Sequence, residues 1–342
     1  MEIPMRRAWL ALLLLLFAAP VPAFAGPPSQ AACDAAAAFS APRRGASVLV
    51  LYQGRVVCES YSGEGGPDHG MEIWSGTKSF TGIMAAAAVQ DGLLTLDEPV
   101  AKTLPEWRDD PWKAKVTIRQ LLSLTSGLPG GRVGRAPPYA EAVAMSLTAE
   151  PGTLFQYGPA PFQVFGEVMK RKLAAAGQDP DPLAYLHRRI LDPIGLVPTD
   201  WRRTAAGDPL MPQGAVLTAR EWAKFGEFVR LGGAWGGRQL VDPQAFSELF
   251  VGSAAHPGYG ISWWLPHPAK VPDVVTASTD MGANADRLPP DLVVAAGAGD
   301  QRLYVIPSLG LTIVRQASFR PLRDYRDKRW SDTEFLLTLI GG

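Results

Sequence analysis

Strand-forming segments lie near both ends of this chain, and few occur in its middle. Residues 47–60 read SVLVLYQGRVVCES, two apolar strands joined at Gln53-Gly54, which is a hairpin signal. Residues 83–210 instead carry helical patterns and proline-rich loops. The pattern predicts an α+β fold, with an antiparallel sheet assembled from both chain ends, flanked by helices, and a mainly helical lobe. Four short apolar segments are the expected C-terminal strands: residues 258–265, 291–299, 302–307 and 311–316.

The first 25 residues have the layout of a secretory signal peptide. Two arginines precede an apolar run at residues 8–17, and the sequence AFA at residues 23–25 offers a cleavage site. The run is short for a membrane span of about 20 residues, so we expect no span after cleavage; an uncleaved anchor is the alternative. The predicted location is periplasmic or secreted. The predicted organisation is a signal peptide (1–25) and one domain (26–342), with an α/β part at 26–82 and 211–342 and a helical lobe at 83–210.

Charge and motif content exclude several classes of partner. The chain has 33 basic and 33 acidic residues, which argues against nucleic acid as the main partner. It has no P-loop, no G-x-G-x-x-G in a βαβ unit and no metal-ligand spacing, so we expect no metal or other cofactor. A small molecule is the expected partner. The two cysteines, Cys33 and Cys58, either form one disulfide in an oxidising compartment or leave Cys58 as a buried thiol.

The segment WSGTKSFTG at residues 74–82 places Ser75 three residues before Lys78, at the predicted start of a buried helix. Residues at i and i+3 share a helical face, so the hydroxyl and the amine can meet. A partly desolvated amine near the positive end of a helix is pushed toward its neutral form, which can accept the serine proton. The alternative is a solvated lysine after a helix cap, because this spacing also arises by chance.

Several segments follow in an order that resembles the serine β-lactamase-related hydrolases. This family includes class C β-lactamases, D-alanyl-D-alanine peptidases, esterases and 6-aminohexanoate-dimer hydrolases. Residues 75–78, SGTK, match its S-x-x-K motif. The resemblance covers nearly the whole chain after residue 25 and implies a β-lactamase/transpeptidase-like fold. The other matching segments are LLTLDEPVAKTLPEW (93–107), TIRQLLSLTSGLP (117–129), PGTLFQYGPAPFQVFGEVMKR (151–171) and AAGAGDQRLYVIPSLGLTIVR (295–315).

The resemblance implies a role for each matching residue. Ser75 is the expected nucleophile, and Lys78 and Tyr157 are expected to share the general acid and base work. The backbone N–H groups of Ser75 and Ala298 are expected to form the oxyanion hole. Gly297 is expected to let its strand approach the substrate closely. The implied substrate is a small acyl compound, cleaved through a Ser75 acyl-enzyme.

Two departures from the family pattern bear on the substrate. Pro159 stands where β-lactamases and peptidases have an asparagine that holds the substrate amide. Ala295 and Ala296 replace the usual lysine or histidine and threonine, which recognise a substrate carboxylate. These changes favour an esterase or amidase that acts on a neutral or differently anchored compound. The 6-aminohexanoate-dimer hydrolases are the nearest likeness.

Other interpretations remain open at this point. A β-lactamase or D-alanyl-D-alanine carboxypeptidase could take its cation from Arg302 or Arg132. A non-catalytic binding protein could use the same fold. A Ser-His-Asp triad with His69 is a weaker alternative. The pair Trp263-Trp264 could line the pocket or belong to the core.

Overall fold

The computed structural model describes residues 26–131, 134–268, 279–319 and 329–341. The predicted signal peptide and Arg132 lie outside these residues. Within them, no helix combines the length and the apolar character that crossing a bilayer requires. The strands are β1 (Gly45–Tyr52), β2 (Arg55–Tyr61), β3 (Met71–Glu72), β4 (Asp200–Trp201), β5 (Ala215–Leu217), β6 (Ala234–Trp235), β7 (Arg238–Gln239), β8 (Val293–Gly297), β9 (Gln301–Ile306) and β10 (Leu311–Ala317).

The main sheet has five antiparallel strands in the order β2-β1-β10-β9-β8. Pairing of β1 with β10 joins the N-terminal hairpin to the C-terminal strands, so the predicted sheet built from both chain ends is confirmed. The hairpin turns at Gln53 and Gly54, which both have positive φ, as tight hairpin turns require. A smaller sheet has the order β3-β5-β4, and β6 pairs with β7.

Helices cover both faces of the main sheet. Side chains of a strand alternate between faces, so Leu303 of β9 contacts the α7 side while Arg302 and Tyr304 point to the α9 side. Helix α1 packs beside α9. The helices are α1 (Gln30–Ser40), α2 (Lys78–Gln90), α3 (Ile118–Leu122), α4 (Tyr139–Ala144), α5 (Ala160–Ala175), α6 (Pro182–Leu186), α7 (Ala219–Arg230), α8 (Pro243–Ser247) and α9 (Asp332–Ile340).

One predicted element is wrong. Residues 258–265 form no strand; only isolated bridges involve Tyr259 and Trp264. The chain folds back there, because Ser262 adopts a φ of 71° and gives its N–H to the carbonyl of Leu122. Helix α3 ends at Leu122, because Leu124 enters the left-handed region with a φ of 60°.

A disulfide joins Cys33 of α1 to Cys58 of β2, with a Cα–Cα distance of 5.5 Å and a sequence separation of 25. It connects the first helix to the edge hairpin of the main sheet. Replacing both cysteines with serine is expected to lower the free energy of unfolding by about 2–4 kcal/mol, because the open chain gains conformational entropy when unfolded. Urea denaturation of the oxidised wild type and the double variant would measure this, and equal midpoints would contradict it.

Candidate active site

The backbone around Ser75 turns sharply before α2 begins. Trp74 has a φ of 50°, which is uncommon for a bulky residue and is typical of strained functional turns. A short 3-10 turn, Trp74–Thr77, then carries Ser75, and α2 starts at Lys78 rather than at the serine. The turn still places both side chains on one face. The Lys78 Nζ atom lies 2.8 Å from the Ser75 Oγ atom, within hydrogen-bond distance.

Lys78 is enclosed by the protein and is only 3% exposed. Its Nζ atom also donates to the carbonyl oxygen of Pro212, at 3.3 Å. It lies 4.9 Å from the ring centroid of Tyr157 and 5.4 Å from that of Phe162. Burial lowers the pKa of Lys78 from 10.5 to about 7, so a substantial share of the amine is neutral near neutral pH. A neutral amine that contacts a serine hydroxyl can act as its general base.

The lowered pKa of Lys78 predicts the pH profile. If the neutral amine accepts the Ser75 proton, kcat/KM should rise with pH through an acid limb near pH 7 and then level off. Below that pH the protonated lysine cannot take a second proton. Steady-state hydrolysis of an uncharged ester between pH 5 and 9 would measure the limb. A flat profile over this range would contradict the role of Lys78.

The segment at residues 211–215 contains Pro212, and hydrogen bonds on both sides of Pro212 hold it against the Ser75 turn and α2. Thr81 Oγ1 donates to the Met211 carbonyl at 3.0 Å, and Thr77 Oγ1 accepts the Ala215 N–H at 3.2 Å. The fully buried amide of Gln163 accepts the Met211 N–H at 3.1 Å. Sequence reasoning missed these contacts, because a backbone carbonyl leaves no motif in the sequence.

Tyr157 lies in the loop that leads into α5 and is buried beside Lys78. Its ring stacks on Trp264 with centroids 5.6 Å apart and meets Tyr259 edge-on at 6.2 Å. The structure therefore separates the predicted tryptophan pair: Trp264 belongs to the wall around Tyr157, and Trp263 packs in the core against Phe225. The aromatic cluster consists of Phe155, Tyr157, His256, Tyr259 and Trp264.

The end of β8 lies directly against the turn that carries Ser75. A Cβ atom on Gly297 would overlap the carbonyl oxygen of Ile73, two residues before Ser75, so only glycine allows this approach. Ala298 follows at the start of the β8–β9 turn and is partly exposed. Ala295 is buried within the strand and offers no charge.

Two residues named in the alternative interpretations, Arg302 and His69, do not contact Ser75 in the structure. The guanidinium of Arg302 points to the α9 side, where its Nε atom lies 2.7 Å from a carboxylate oxygen of Asp332. That placement contradicts its use as an anchor for a substrate carboxylate. His69 is exposed in the loop between β2 and β3, whereas the described partner of the Ser75 hydroxyl is Lys78. Pro159 lies next to α5, as its N-cap residue.

Comparisons with known proteins agree with this architecture. An uncharacterized protein of Alkalihalophilus pseudofirmus is 25% identical over 298 residues, which cover 79% of this chain and 83% of that protein. A candidate beta-lactamase from Bacteroides dorei superimposes with a TM-score of 0.71 at 19% identity, covering 92% of this chain and all of its own. EstCE1, described as a hydrolase with promiscuous acyltransferase activity, superimposes with a TM-score of 0.65 at 18% identity, covering 90% of this chain and 96% of EstCE1.

The sequence also matches the protein-family model described as Beta-lactamase, over residues 33–334. The matched range includes both strand regions of the main sheet, the helical lobe, and the segments around Ser75, Tyr157 and Gly297. The protein therefore belongs to the Beta-lactamase family and has the β-lactamase/transpeptidase-like fold of these hydrolases.

Proposed function

We propose that this protein hydrolyses an ester or amide through an acyl-enzyme on Ser75. The observation that carries the proposal is the 2.8 Å contact between Ser75 Oγ and the buried amine of Lys78. A serine hydroxyl is a weak nucleophile until an adjacent base takes its proton. Burial keeps the pKa of Lys78 near 7, so the base is available at neutral pH.

In the proposed reaction, Ser75 Oγ attacks the substrate carbonyl carbon while its proton passes to Lys78 Nζ. The tetrahedral oxyanion is held by the backbone N–H groups of Ser75 and Ala298. The proton then passes to the leaving alcohol or amine, with Tyr157 beside Lys78 sharing the transfer, and the carbonyl–leaving-group bond breaks. Water attacks the acyl-enzyme in the second half, giving the free acid and restoring the Ser75 hydroxyl.

A neutral substrate with an apolar acyl group fits these residues best. Ala295 offers no cation, and the guanidinium of Arg302 is occupied by Asp332. Pro159 has no side-chain donor for a substrate amide. The aromatic cluster around Tyr157 provides an apolar wall instead. The sequence of residues 1–25 supports export to the periplasm or the medium, which cell fractionation would test.

A fluorophosphonate probe tests the nucleophile directly. Intact-mass spectrometry of the wild type should show one covalent adduct, and Ser75→Ala should show none. An absent wild-type adduct, or an adduct that persists in Ser75→Ala, would favour a non-catalytic binding protein instead. The buried Ser79, one helical turn after Ser75 and the second residue of α2, provides the matched control, because Ser79→Ala should leave labelling of Ser75 intact.

A substrate panel then tests the acyl class. We expect p-nitrophenyl esters of short to medium chains to be turned over faster than a chromogenic cephalosporin or a D-alanyl-D-alanine peptide. Faster turnover of the lactam or of the peptide would identify a β-lactamase or a D-alanyl-D-alanine carboxypeptidase and overturn the ester assignment. Linear amides in the same panel separate an esterase from an amidase.

A further inference from the structure

Arg302 is a buried cation to which the proposed reaction assigns no step. It lies on β9 opposite Ala296 of β8, and it is only 2% exposed. Its guanidinium donates to the Asp332 carboxylate at 2.7 Å, to the Gly297 carbonyl at 3.2 Å and to the Gln301 carbonyl at 3.1 Å. A charged side chain with these partners links α9 to the end of β8.

The carbonyl of Gly297 belongs to the same peptide unit as the N–H of Ala298. A peptide bond is planar and trans, so its C=O and N–H groups point in opposite directions. A group that holds the oxygen therefore sets the direction of the N–H. A positively charged donor on the oxygen also polarises the unit, which makes the opposite N–H a stronger donor.

We propose that Arg302 is a positioning residue for the oxyanion hole, which holds the Gly297 carbonyl and thereby orients and polarises the Ala298 N–H. The inference rests on the proposed acyl-transfer function. Arg302 acts from the α9 side of the sheet, and the substrate oxygen accepts from the other side of the same peptide unit. It does not touch the reacting atoms.

A buried hydrogen-bond network fixes the Arg302 guanidinium. One oxygen of Asp332 accepts from Arg302 Nε, from the Tyr304 hydroxyl at 2.5 Å and from Trp330 Nε1 at 3.0 Å. Asp332 is the first residue of α9, where the helix dipole stabilises a negative charge. The carboxylate is only 3% exposed, so it holds the cation without competition from bulk water. Through Arg302, the position of α9 therefore restrains the orientation of the peptide unit between Gly297 and Ala298.

Arg315 provides a matched comparison on the same side of the sheet. It is fully buried, donates to the Asp300 carbonyl at 2.7 Å and lies 4.1 Å from the Trp330 ring centroid. It braces the same β8–β9 turn, but its hydrogen bonds in the described part of the chain do not reach Gly297. Loss of Arg315 should therefore cost stability without changing the polarity of the Ala298 N–H.

The test compares Arg302→Met/Asp332→Asn with Arg315→Met in the full-length mature protein. The double substitution avoids leaving an unpaired buried carboxylate. For a p-nitrophenyl ester, the kcat of Arg302→Met/Asp332→Asn should be about 10- to 100-fold lower than that of the wild type, and its KM should be unchanged. That loss is smaller than the roughly 10²–10³-fold effect of removing an oxyanion donor outright. The inhibition constant of a boronic acid, which forms a tetrahedral adduct on serine, should rise by a similar factor.

The infrared carbonyl stretch of a slowly deacylating acyl-enzyme reports on the oxyanion hole directly. A loss of folding stability alone does not change its frequency. The stretch should shift to higher wavenumber in Arg302→Met/Asp332→Asn, because the carbonyl is less polarised, and stay at the wild-type value in Arg315→Met. An unchanged stretch in the Arg302 variant, or an equal shift in both variants, would overturn the inference. If the double variant does not fold, Arg302→Lys is compared with Arg315→Met instead. A single ammonium group cannot reproduce the separate contacts that the arginine makes with Asp332 and the Gly297 carbonyl. Absence of any acyl-enzyme in the wild type would instead overturn the proposed function.

Discussion

Replacing Lys78 with methionine is expected to lower kcat/KM for an ester by about 10²–10⁴-fold, the usual contribution of a general base. Methionine fills a similar volume but cannot take the proton from the Ser75 hydroxyl, 2.8 Å away in the wild type. Steady-state kinetics at pH 8 would measure the loss. The acid limb of the wild-type pH profile should disappear from the residual activity. A variant with more than a tenth of wild-type activity would exclude Lys78 as the base.

The free energy of unfolding of Lys78→Met shows whether its loss of activity comes from a damaged fold. The pKa of Lys78 is about 7 in the folded protein and 10.5 ordinarily, so the unfolded chain binds more protons between these values. The contribution of Lys78 to the free energy of unfolding of the wild type therefore increases from about pH 7 to pH 10.5. The variant Lys78→Met should lack this increase. Lys113, a second buried lysine that donates to a backbone carbonyl, provides the control. Its methionine variant should keep full activity.

Replacing Gly297 with alanine is the second change with a large expected effect. The new methyl group would overlap the Ile73 carbonyl oxygen, so β8 must move away from the turn that carries Ser75. The two backbone N–H groups of the proposed oxyanion hole would then separate. We expect kcat to fall by about 10²–10³-fold. Overpacking should also lower the free energy of unfolding by about 1–3 kcal/mol.

Esterase kinetics and urea denaturation would measure both effects of Gly297→Ala. Gly66 offers a matched control, since a Cβ atom there meets its nearest neighbour, the Cβ of His69, at an ordinary 3.7 Å. Gly66→Ala should change neither activity nor stability appreciably. Wild-type kcat in Gly297→Ala would show that the approach of β8 to Ile73 does not serve catalysis.

Local patterns predicted much of the fold. The two apolar segments and the turn signal of residues 47–60 correspond to β1, β2 and their two-residue turn, because a hairpin depends on neighbouring residues. The strand predicted at residues 258–265 failed for the opposite reason. Its apolar side chains are buried, but its backbone bonds to distant partners, including the Leu122 carbonyl, and Ser262 reverses the chain.

The sequence by itself determined that Ser75 and Lys78 are close enough along the chain to meet, because residues three apart on one helical turn share a face. Only the tertiary structure decided how that pair is surrounded. The burial that lowers the pKa of Lys78, and the Pro212 carbonyl it contacts from 134 residues away, depend on packing of distant segments. The same holds for Arg302, whose direction is set by Asp332 at the start of α9. Desolvation and charge pairing depend on the neighbours in space, and those neighbours are assembled only when the chain folds.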